Sequence, residues 1–253
     1  MSRKKMITGT AEEILLCEKL RSMRMSGMAA EYEKQLEDPN ANLVPFEKRF
    51  TRIVDNEWNL RYEKKFARFL KKAKLRYPDA SFDETLYDPA RQLDTATVES
   101  LATCKWIEEG RNLLITGMTS SGKTYLSNAL CVAALHRFMS VRYIRANHLM
   151  LELEKAQLKG IYLDYLTEVM KLDLLVIDDF GLMELDLDKC RTLFDVIDGR
   201  DGRKSTVIVS QFPVGKWFDM FHDHTYADAC LARLTDKHRS YRLEMNGISM
   251  RER

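Results

Sequence analysis

Residues 113–124 read Leu-Leu-Ile-Thr-Gly-Met-Thr-Ser-Ser-Gly-Lys-Thr, and this stretch decides the fold. Four residues typical of a buried strand lead into a loop that fits the pattern G-x-x-x-x-G-K-[ST], and a helical pattern of apolar residues follows. Backbone N–H groups in such a loop, at the start of a helix, can surround a polyphosphate. The loop is therefore predicted to bind a nucleotide through Gly117, Met118, Thr119, Ser120, Ser121, Gly122, Lys123 and Thr124.

Two residues at the end of this loop have chemical roles of their own. Lys123 can reach the β and γ phosphate oxygens, and the Thr124 hydroxyl can bind Mg²⁺. The alternative is an ordinary glycine-containing turn that matches by chance. The strand–loop–helix context disfavours that alternative, and the predicted cofactors are ATP and Mg²⁺.

Short apolar segments alternate with helical patterns through the C-terminal half. The predicted strands are 112–116, 141–144, 172–177, 206–210 and 241–244. This alternation predicts an α/β fold, a P-loop ATPase core with a mainly parallel sheet.

The N-terminal part is predicted to be all-helical. Thr10 and Glu13 fit a capping box, and a long amphipathic helix is predicted from Pro45 until Pro78 ends it. We therefore expect a helical DNA- or partner-binding domain over residues 1–95 and an ATPase domain over 96–253. Only 43 residues follow Ser210, too few for a full C-terminal lid.

A second motif, which is acidic, follows the predicted strand at 172–177. Asp178 is predicted to hold Mg²⁺ through water and Asp179 to act as the catalytic base, although two aspartates would also suit an Asx turn. Residues 178–181 also match the D-x-x-G motif of GTPases. No N-K-x-D motif for guanine follows, so ATP is favoured.

Further catalytic candidates follow in the C-terminal part. Ser210 and Gln211 end an apolar strand, and either could sense the γ-phosphate; the alternative is a plain strand exit. Arg233 and Arg251 could each stabilise phosphate charge, although most arginines are solvated surface groups.

Composition excludes other classes of protein. The five cysteines form no Cys-x-x-Cys pair, which favours reduced thiols in a cytoplasmic protein over disulfides or a zinc site. No apolar run approaches the roughly 18 residues of a membrane span. The net charge of +2 gives no whole-chain argument for a nucleic-acid partner.

Charge position along the chain is more informative than total charge. Residues 61–76 contain eight Lys or Arg and one Glu, so the rest of the chain is net −5. A helix with such a basic face can neutralise several DNA phosphates, although a solvated helix face is the alternative. The predicted DNA contacts are Arg61, Lys64, Lys65, Arg68, Lys71 and Lys72, with Lys155 and Lys159 as weaker candidates.

The motifs together resemble the IstB-like AAA+ ATPases, helpers of insertion-sequence transposition related to DnaC-type helicase loaders. The resemblance lies in residues 20–28, 117–124, 175–181 and the stretch 209–251. It implies an ATP-hydrolysing homo-oligomer that assembles on target duplex DNA and recruits or stimulates a partner transposase. It also implies that Arg233 is an arginine finger acting across a subunit interface and that Arg251 is a second sensor.

The chain departs from the family pattern at three positions. Ser120 stands where many AAA+ loops have Gly, Ala232 where Asp usually precedes the finger, and Ile248 where Glu is usual. Three other functions stay open: a DnaC-type replicative helicase loader, a P-loop small-molecule kinase, and a nucleotide-gated binding module that hydrolyses nothing.

Overall fold

The computed structural model describes residues 10–84 and 93–245. The chain divides into two compact units, Met1–Ala67 and Arg68–Arg253. This division does not test the predicted boundary near residue 95, which stays a prediction. No helix among the described residues is long and apolar enough to cross a membrane.

The N-terminal unit contains helices α1 (Ala11–Ser22) and α2 (Ser26–Glu37) and most of α3 (Phe46–Ala73). The predicted capping box of α1 is confirmed, because Thr10 and Glu13 bond each other's backbone N–H groups. Glu57 of α3 is buried and accepts hydrogen bonds from the backbone N–H groups of Gly27 (2.7 Å) and Met28 (3.3 Å). This carboxylate therefore satisfies two free donors at the start of α2.

Apolar residues on α3 do not form the single buried face that the spacing predicts. Ile53 is buried, whereas Phe46, Phe50, Val54 and Trp58 are exposed, Trp58 by 70%. The spacing of four residues places all four on one side of the helix, but periodicity cannot tell which side of a helix is covered.

The C-terminal unit contains a five-stranded parallel sheet in the order β2-β3-β4-β1-β5. Its strands are β1 (Asn112–Gly117), β2 (Val141–Arg145), β3 (Leu174–Phe180), β4 (Ser205–Ser210) and β5 (Ser240–Met245). All five predicted strands are confirmed, and the fold is the predicted α/β class. The residues of β1, β3 and β4 are almost entirely buried, which explains their continuous apolar runs.

Helices pack around this sheet: α4 (Thr95–Ala102), α5 (Lys105–Glu108), α6 (Lys123–His136), α7 (Ala146–Leu158), α8 (Tyr162–Lys171), α9 (Leu187–Arg200) and α10 (His224–Thr235). Aspartate caps open three of them: the side chains of Asp94, Asp186 and Asp223 accept from the N–H groups of Thr97 on α4, Lys189 on α9 and Tyr226 on α10. The carboxyl ends of β1, β3 and β4 lie side by side, the edge at which parallel sheets bind ligands.

Arg200, at the end of α9, is buried inside this unit with 1% of its surface exposed. Its guanidinium donates to the carbonyls of Val169 (2.7 Å), Leu172 (2.9 Å) and Ser205 (2.5 Å), and to the Thr206 hydroxyl (3.0 Å). The side chain therefore joins the end of α8 to the start of β4.

The five cysteines are all free and all buried. They lie on helices or at helix ends and pack as small apolar side chains. Burial raises the pKa of Cys104 and raises that of Cys230 to about 12, so these thiols stay protonated at neutral pH.

Candidate nucleotide site

The phosphate loop connects β1 to α6 through a backbone that turns sharply. Gly117, Ser120 and Gly122 all have positive φ angles, of 142°, 64° and 89°. A Cβ on Gly117 would lie 2.0 Å from the Met245 carbonyl oxygen, so β5 leaves room only for glycine. Ser120 takes the left-handed conformation for which glycine is favoured, which accounts for the glycine found there in many AAA+ loops.

Lys123 lies at the first position of α6 with 8% of its surface exposed. Its Nζ donates to the carbonyl of Met118 across the loop, at 2.6 Å. Burial lowers the pKa of Lys123, while the nearby Asp178 and Asp179 act in the opposite direction. The ammonium group is thus held inside the loop, where it can meet phosphate oxygens.

Thr124 and Asp178 meet although they are 54 residues apart. The Thr124 hydroxyl donates to Asp178 Oδ2 at 2.9 Å, and the Tyr143 hydroxyl donates to the same oxygen at 2.6 Å. Burial, and then the bond to Asp178, raise the pKa of Tyr143. A hydroxyl and a carboxylate that converge at a helix N-terminus fit Mg²⁺, which prefers oxygen ligands and retains water.

Asp179 lies beside this pair but in a different conformation. Its φ angle is 57°, and its Oδ2 lies 3.2 Å from Nε of Arg145 at the end of β2. Its backbone N–H donates to Asp178 Oδ1 at 2.8 Å. The left-handed backbone turns the Asp179 side chain away from the direction that strand alternation would give it.

The structure places Ser210 and Gln211 in different environments. Ser210 is buried; its hydroxyl donates to the Phe180 carbonyl (2.7 Å) and accepts from the Phe212 N–H (3.1 Å). Gln211 Oε1 accepts a hydrogen bond from the hydroxyl of Thr119 in the phosphate loop, at 2.9 Å. Of the two candidates, Gln211 is the one that contacts the loop.

Arg233 lies on α10 and contacts α9. Its Nη2 is 2.7 Å from Asp198 Oδ1, Nη1 donates to the Ala229 carbonyl (2.8 Å), and the guanidinium carbon lies 5.0 Å from the Phe194 ring centre. These contacts hold the Arg233 side chain against α9 and α10, and none of them is with the phosphate loop of its own chain. Arg251 lies outside the described residues.

The predicted DNA contacts are divided between the two units. In the N-terminal unit, Lys64 and Lys65 are exposed, while Arg61 bonds Glu57 (2.6 Å) and the Arg24 carbonyl (3.2 Å). Lys155 and Lys159 are exposed at the end of α7.

In the C-terminal unit, a cleft of about 970 Å³ lies beside the basic end of α3. Five cationic side chains line it: Arg68, Lys71, Lys72, Lys74 and Arg142. Glu168 is the acidic residue in the lining, and Val169 and Leu172 are among the apolar ones. Two of these cations are partly neutralised by Glu152, whose carboxylate lies 2.8 Å from Nη2 of Arg142 and 3.8 Å from Nζ of Lys74.

Sequence reasoning missed three residues that contact the site: Tyr143, Arg145 and Asn128. Tyr143 and Arg145 belong to β2, which pairs with β3 and so brings Arg145 opposite Asp178. Asn128 lies one helical turn after Thr124, and its Nδ2 donates to the Thr124 carbonyl at 2.7 Å. For Asn128 the sequence offered a signal, because a polar residue stands there among the apolar residues of a predicted helix.

A phosphate loop after β1, a carboxylate pair at the end of β3 and a sheet in the order β2-β3-β4-β1-β5 define an ATP-binding core of the AAA+ type. The sequence pattern of the family of IstB-like ATP binding proteins matches residues 18–253. The chain belongs to that family.

Two relatives are similar over most of their length. The insertion sequence ATP-binding protein y4uH of Sinorhizobium fredii is 34% identical over 232 residues, 92% of each chain. The insertion sequence IS1162 ATP-binding protein of Pseudomonas fluorescens is 34% identical over 194 residues, 77% of this chain and 84% of that one.

Solved structures share the fold. The DnaC helicase loader matches with a TM-score of 0.57 at 15% identity, over 68% of this chain and 99% of that chain. AMPPCP-bound DnaA from Aquifex aeolicus matches with a TM-score of 0.55 at 18% identity, over 67% and 50% of the two chains. At these identities the likeness concerns the fold alone.

Proposed function

We propose that the protein is an ATP-dependent transposition helper that assembles as a homo-oligomer on duplex DNA, hydrolyses ATP and recruits or stimulates a transposase. The observation that carries the ATPase part is the meeting of Thr124 and Asp178 beside Lys123. Membership of a family whose relatives are named as insertion sequence proteins supports the transposition context. We place the helper in the cytoplasm.

In this proposal the site residues have distinct roles. The loop from Gly117 to Thr124 binds the phosphates, and Lys123 neutralises their charge. Thr124, and Asp178 through water, would hold Mg²⁺, which would supply Lewis-acid chemistry at the γ-phosphate. Asp179 accepts a proton from the attacking water, and Gln211, already bonded to Thr119, orients that water.

Arg233 and Arg251 are proposed to act on the γ-phosphate, Arg233 from a neighbouring subunit. To do so Arg233 must exchange its contact with Asp198, which is half exposed and therefore weak enough to give up. The proposed role of Arg251 rests on the resemblance alone, because this residue lies outside the described part of the chain.

Asp179→Asn should lower the ATP hydrolysis rate at least about 100-fold, because the amide cannot accept the proton, while binding of a non-hydrolysable ATP analogue changes less than about threefold. Steady-state phosphate release and analogue titration measure the two effects. Asp188→Asn, at a carboxylate whose side chain is 93% exposed, is the matched control and should be unaffected. Equal loss of binding and hydrolysis would contradict the role of base.

The Asp179→Asn variant also tests whether Arg233 acts as an arginine finger across a subunit interface. Subunits with Arg233→Ala and subunits with Asp179→Asn are each expected to be inactive alone, and mixing them should restore partial hydrolysis at interfaces that contain one intact copy of each group. Absence of recovery at every mixing ratio would exclude action across the interface.

Duplex DNA is proposed to bind by contacts to phosphates rather than bases. The proposed contacts are Lys64 and Lys65 in the N-terminal unit and, in the C-terminal unit, Arg68, Lys71 and Lys72 with the cleft that these three residues line. Because Arg61 is engaged by Glu57, we expect it to contribute less. Lys155 and Lys159 are secondary candidates at the end of α7.

Lys71→Glu combined with Lys72→Glu should weaken duplex binding more than about tenfold near 0.1 M salt and flatten the dependence of log K on log salt by about 2. Fluorescence anisotropy over a salt series measures both quantities. Lys105→Glu combined with Lys216→Glu makes the same change in net charge at exposed sites outside α3 and the cleft, and is the control. Equal weakening by both pairs would show that only total charge matters.

A helicase loader is the second candidate, favoured by the fold shared with the DnaC helicase loader. A pull-down with the full chain distinguishes the two clients. Retention of a transposase encoded beside this protein supports the proposal, whereas retention of the replicative helicase in its place would overturn it.

A further inference from the structure

Asn128 joins the phosphate-loop helix to the segment that follows the basic helix α3. The residue is fully buried on α6. Its Nδ2 donates to the Thr124 carbonyl (2.7 Å), and its Oδ1 accepts from the backbone N–H groups of Arg76 (3.0 Å) and Tyr77 (3.2 Å). One side chain thus bridges two main-chain segments about 50 residues apart.

The segment held by Asn128 continues directly from the basic end of α3. That helix ends at Ala73, and Lys74 then adopts a left-handed conformation with φ 53°, which is strained for a residue other than glycine. The chain then reaches Arg76 two residues later. A short turn, strained at Lys74, therefore links Lys71 and Lys72 to the two amides that Asn128 binds.

The other side of the contact leads to the proposed magnesium ligands. Thr124, whose carbonyl accepts from Asn128, donates its own hydroxyl to Asp178. Asparagine is a poor residue for a helix interior, and burial of its amide group without hydrogen-bond partners would be strongly unfavourable. These contacts offset that cost only while the Arg76–Tyr77 amides stay in place.

We propose that Asn128 is a positioning residue that couples DNA bound at the basic end of α3 to the Thr124–Asp178 pair. A ligand bound to Lys71, Lys72 or Lys74 changes the conformation of the turn at Lys74 and so moves the Arg76 and Tyr77 amides. Asn128 transmits this movement to Thr124. This inference rests on the proposed ATP-dependent binding of DNA. Because coupling between two binding sites is reciprocal, ATP must change the affinity for DNA by the same factor by which DNA changes the affinity for ATP.

The test measures this coupling factor in the full chain. The affinity for a non-hydrolysable ATP analogue is measured with and without saturating duplex DNA, and the affinity for DNA with and without the analogue. We expect a factor of at least about 5 in the wild-type protein, falling below about 2 in Asn128→Ala.

Tyr125→Phe is the matched control. The Tyr125 hydroxyl binds the same segment a few residues after Tyr77: it accepts from the Ser81 N–H (3.1 Å) and donates to Glu84 Oε2 (2.6 Å). It does not bridge this segment to Thr124. This variant should keep the wild-type coupling factor. If Asn128→Ala does not fold, Asn128→Asp replaces it, because the carboxylate still accepts from Arg76 and Tyr77 but cannot donate to Thr124.

Each outcome decides a different question. A wild-type factor of at least 5 that Asn128→Ala leaves intact overturns the coupling role and leaves the proposed function standing. Loss of affinity for both ligands with an unchanged factor shows a merely structural Asn128 and also overturns it. A wild-type factor of 1 contradicts the ATP-dependent binding of DNA itself.

Discussion

Lys123→Ala should weaken ATP binding more than about 100-fold and abolish ATP-dependent assembly on DNA. The ammonium group is buried in the phosphate loop beside two carboxylates, and alanine leaves no cation to meet the β and γ phosphates. Analogue titration measures the binding, and sedimentation or light scattering with DNA and ATP measures the assembly.

The fold should survive this substitution. The hydrogen bond that the Lys123 side chain donates to the Met118 carbonyl lies in a loop, and removing a buried cation relieves its desolvation. A melting temperature within a few degrees of the wild type is therefore expected, and Lys105→Ala, at an exposed helix position, provides the control. Assembly on DNA that persists unchanged in Lys123→Ala would refute the phosphate-binding role.

Arg200→Met should lower the free energy of unfolding by about 3 kcal/mol. Methionine fills a similar volume but leaves the carbonyls of Val169, Leu172 and Ser205 without their donor, and the Val169 carbonyl is in the last turn of α8, where helix carbonyls lack partners. For a unit of this size the melting temperature should fall by about 6–12 °C.

Arg203→Met is the comparison for this substitution. Arg203 lies three residues further on and is exposed, so its replacement should change the melting temperature by less than about 2 °C. Calorimetry on both variants measures the difference. Equal melting temperatures for Arg200→Met and the wild type would mean that the buried guanidinium contributes nothing net to stability.

Local sequence patterns predicted the parts of the molecule that neighbouring residues determine. The apolar runs of β1, β3 and β4 and the turn-forming glycines of the loop each identify their own element, so the strands and the phosphate loop could be located without the structure. The sheet order could not, because the insertion of β4 between β3 and β1 depends on packing between segments that are distant in sequence.

The same distinction holds for the candidate site. Lys123 and Thr124 follow from a motif, and their chemistry depends on consecutive residues. The contacts of Tyr143 and Arg145 depend on β2 pairing with β3. The sequence did not distinguish Ser210 from Gln211, and the contact between Gln211 and Thr119 in the phosphate loop does. The exposed Phe46 and Trp58 show that helical spacing predicts a face but not what covers it.

The burial of all five thiols has a practical consequence for observing the protein at work. Maleimide dyes react with accessible thiolates, so the native chain offers them no ready target. A cysteine introduced at one exposed position, such as Asn59 on α3, would then be labelled selectively without first removing the native ones. A donor fluorophore placed in this way, with an acceptor on the nucleotide, on DNA or on a second copy of the chain, would let energy transfer report the order in which these proposed partners bind.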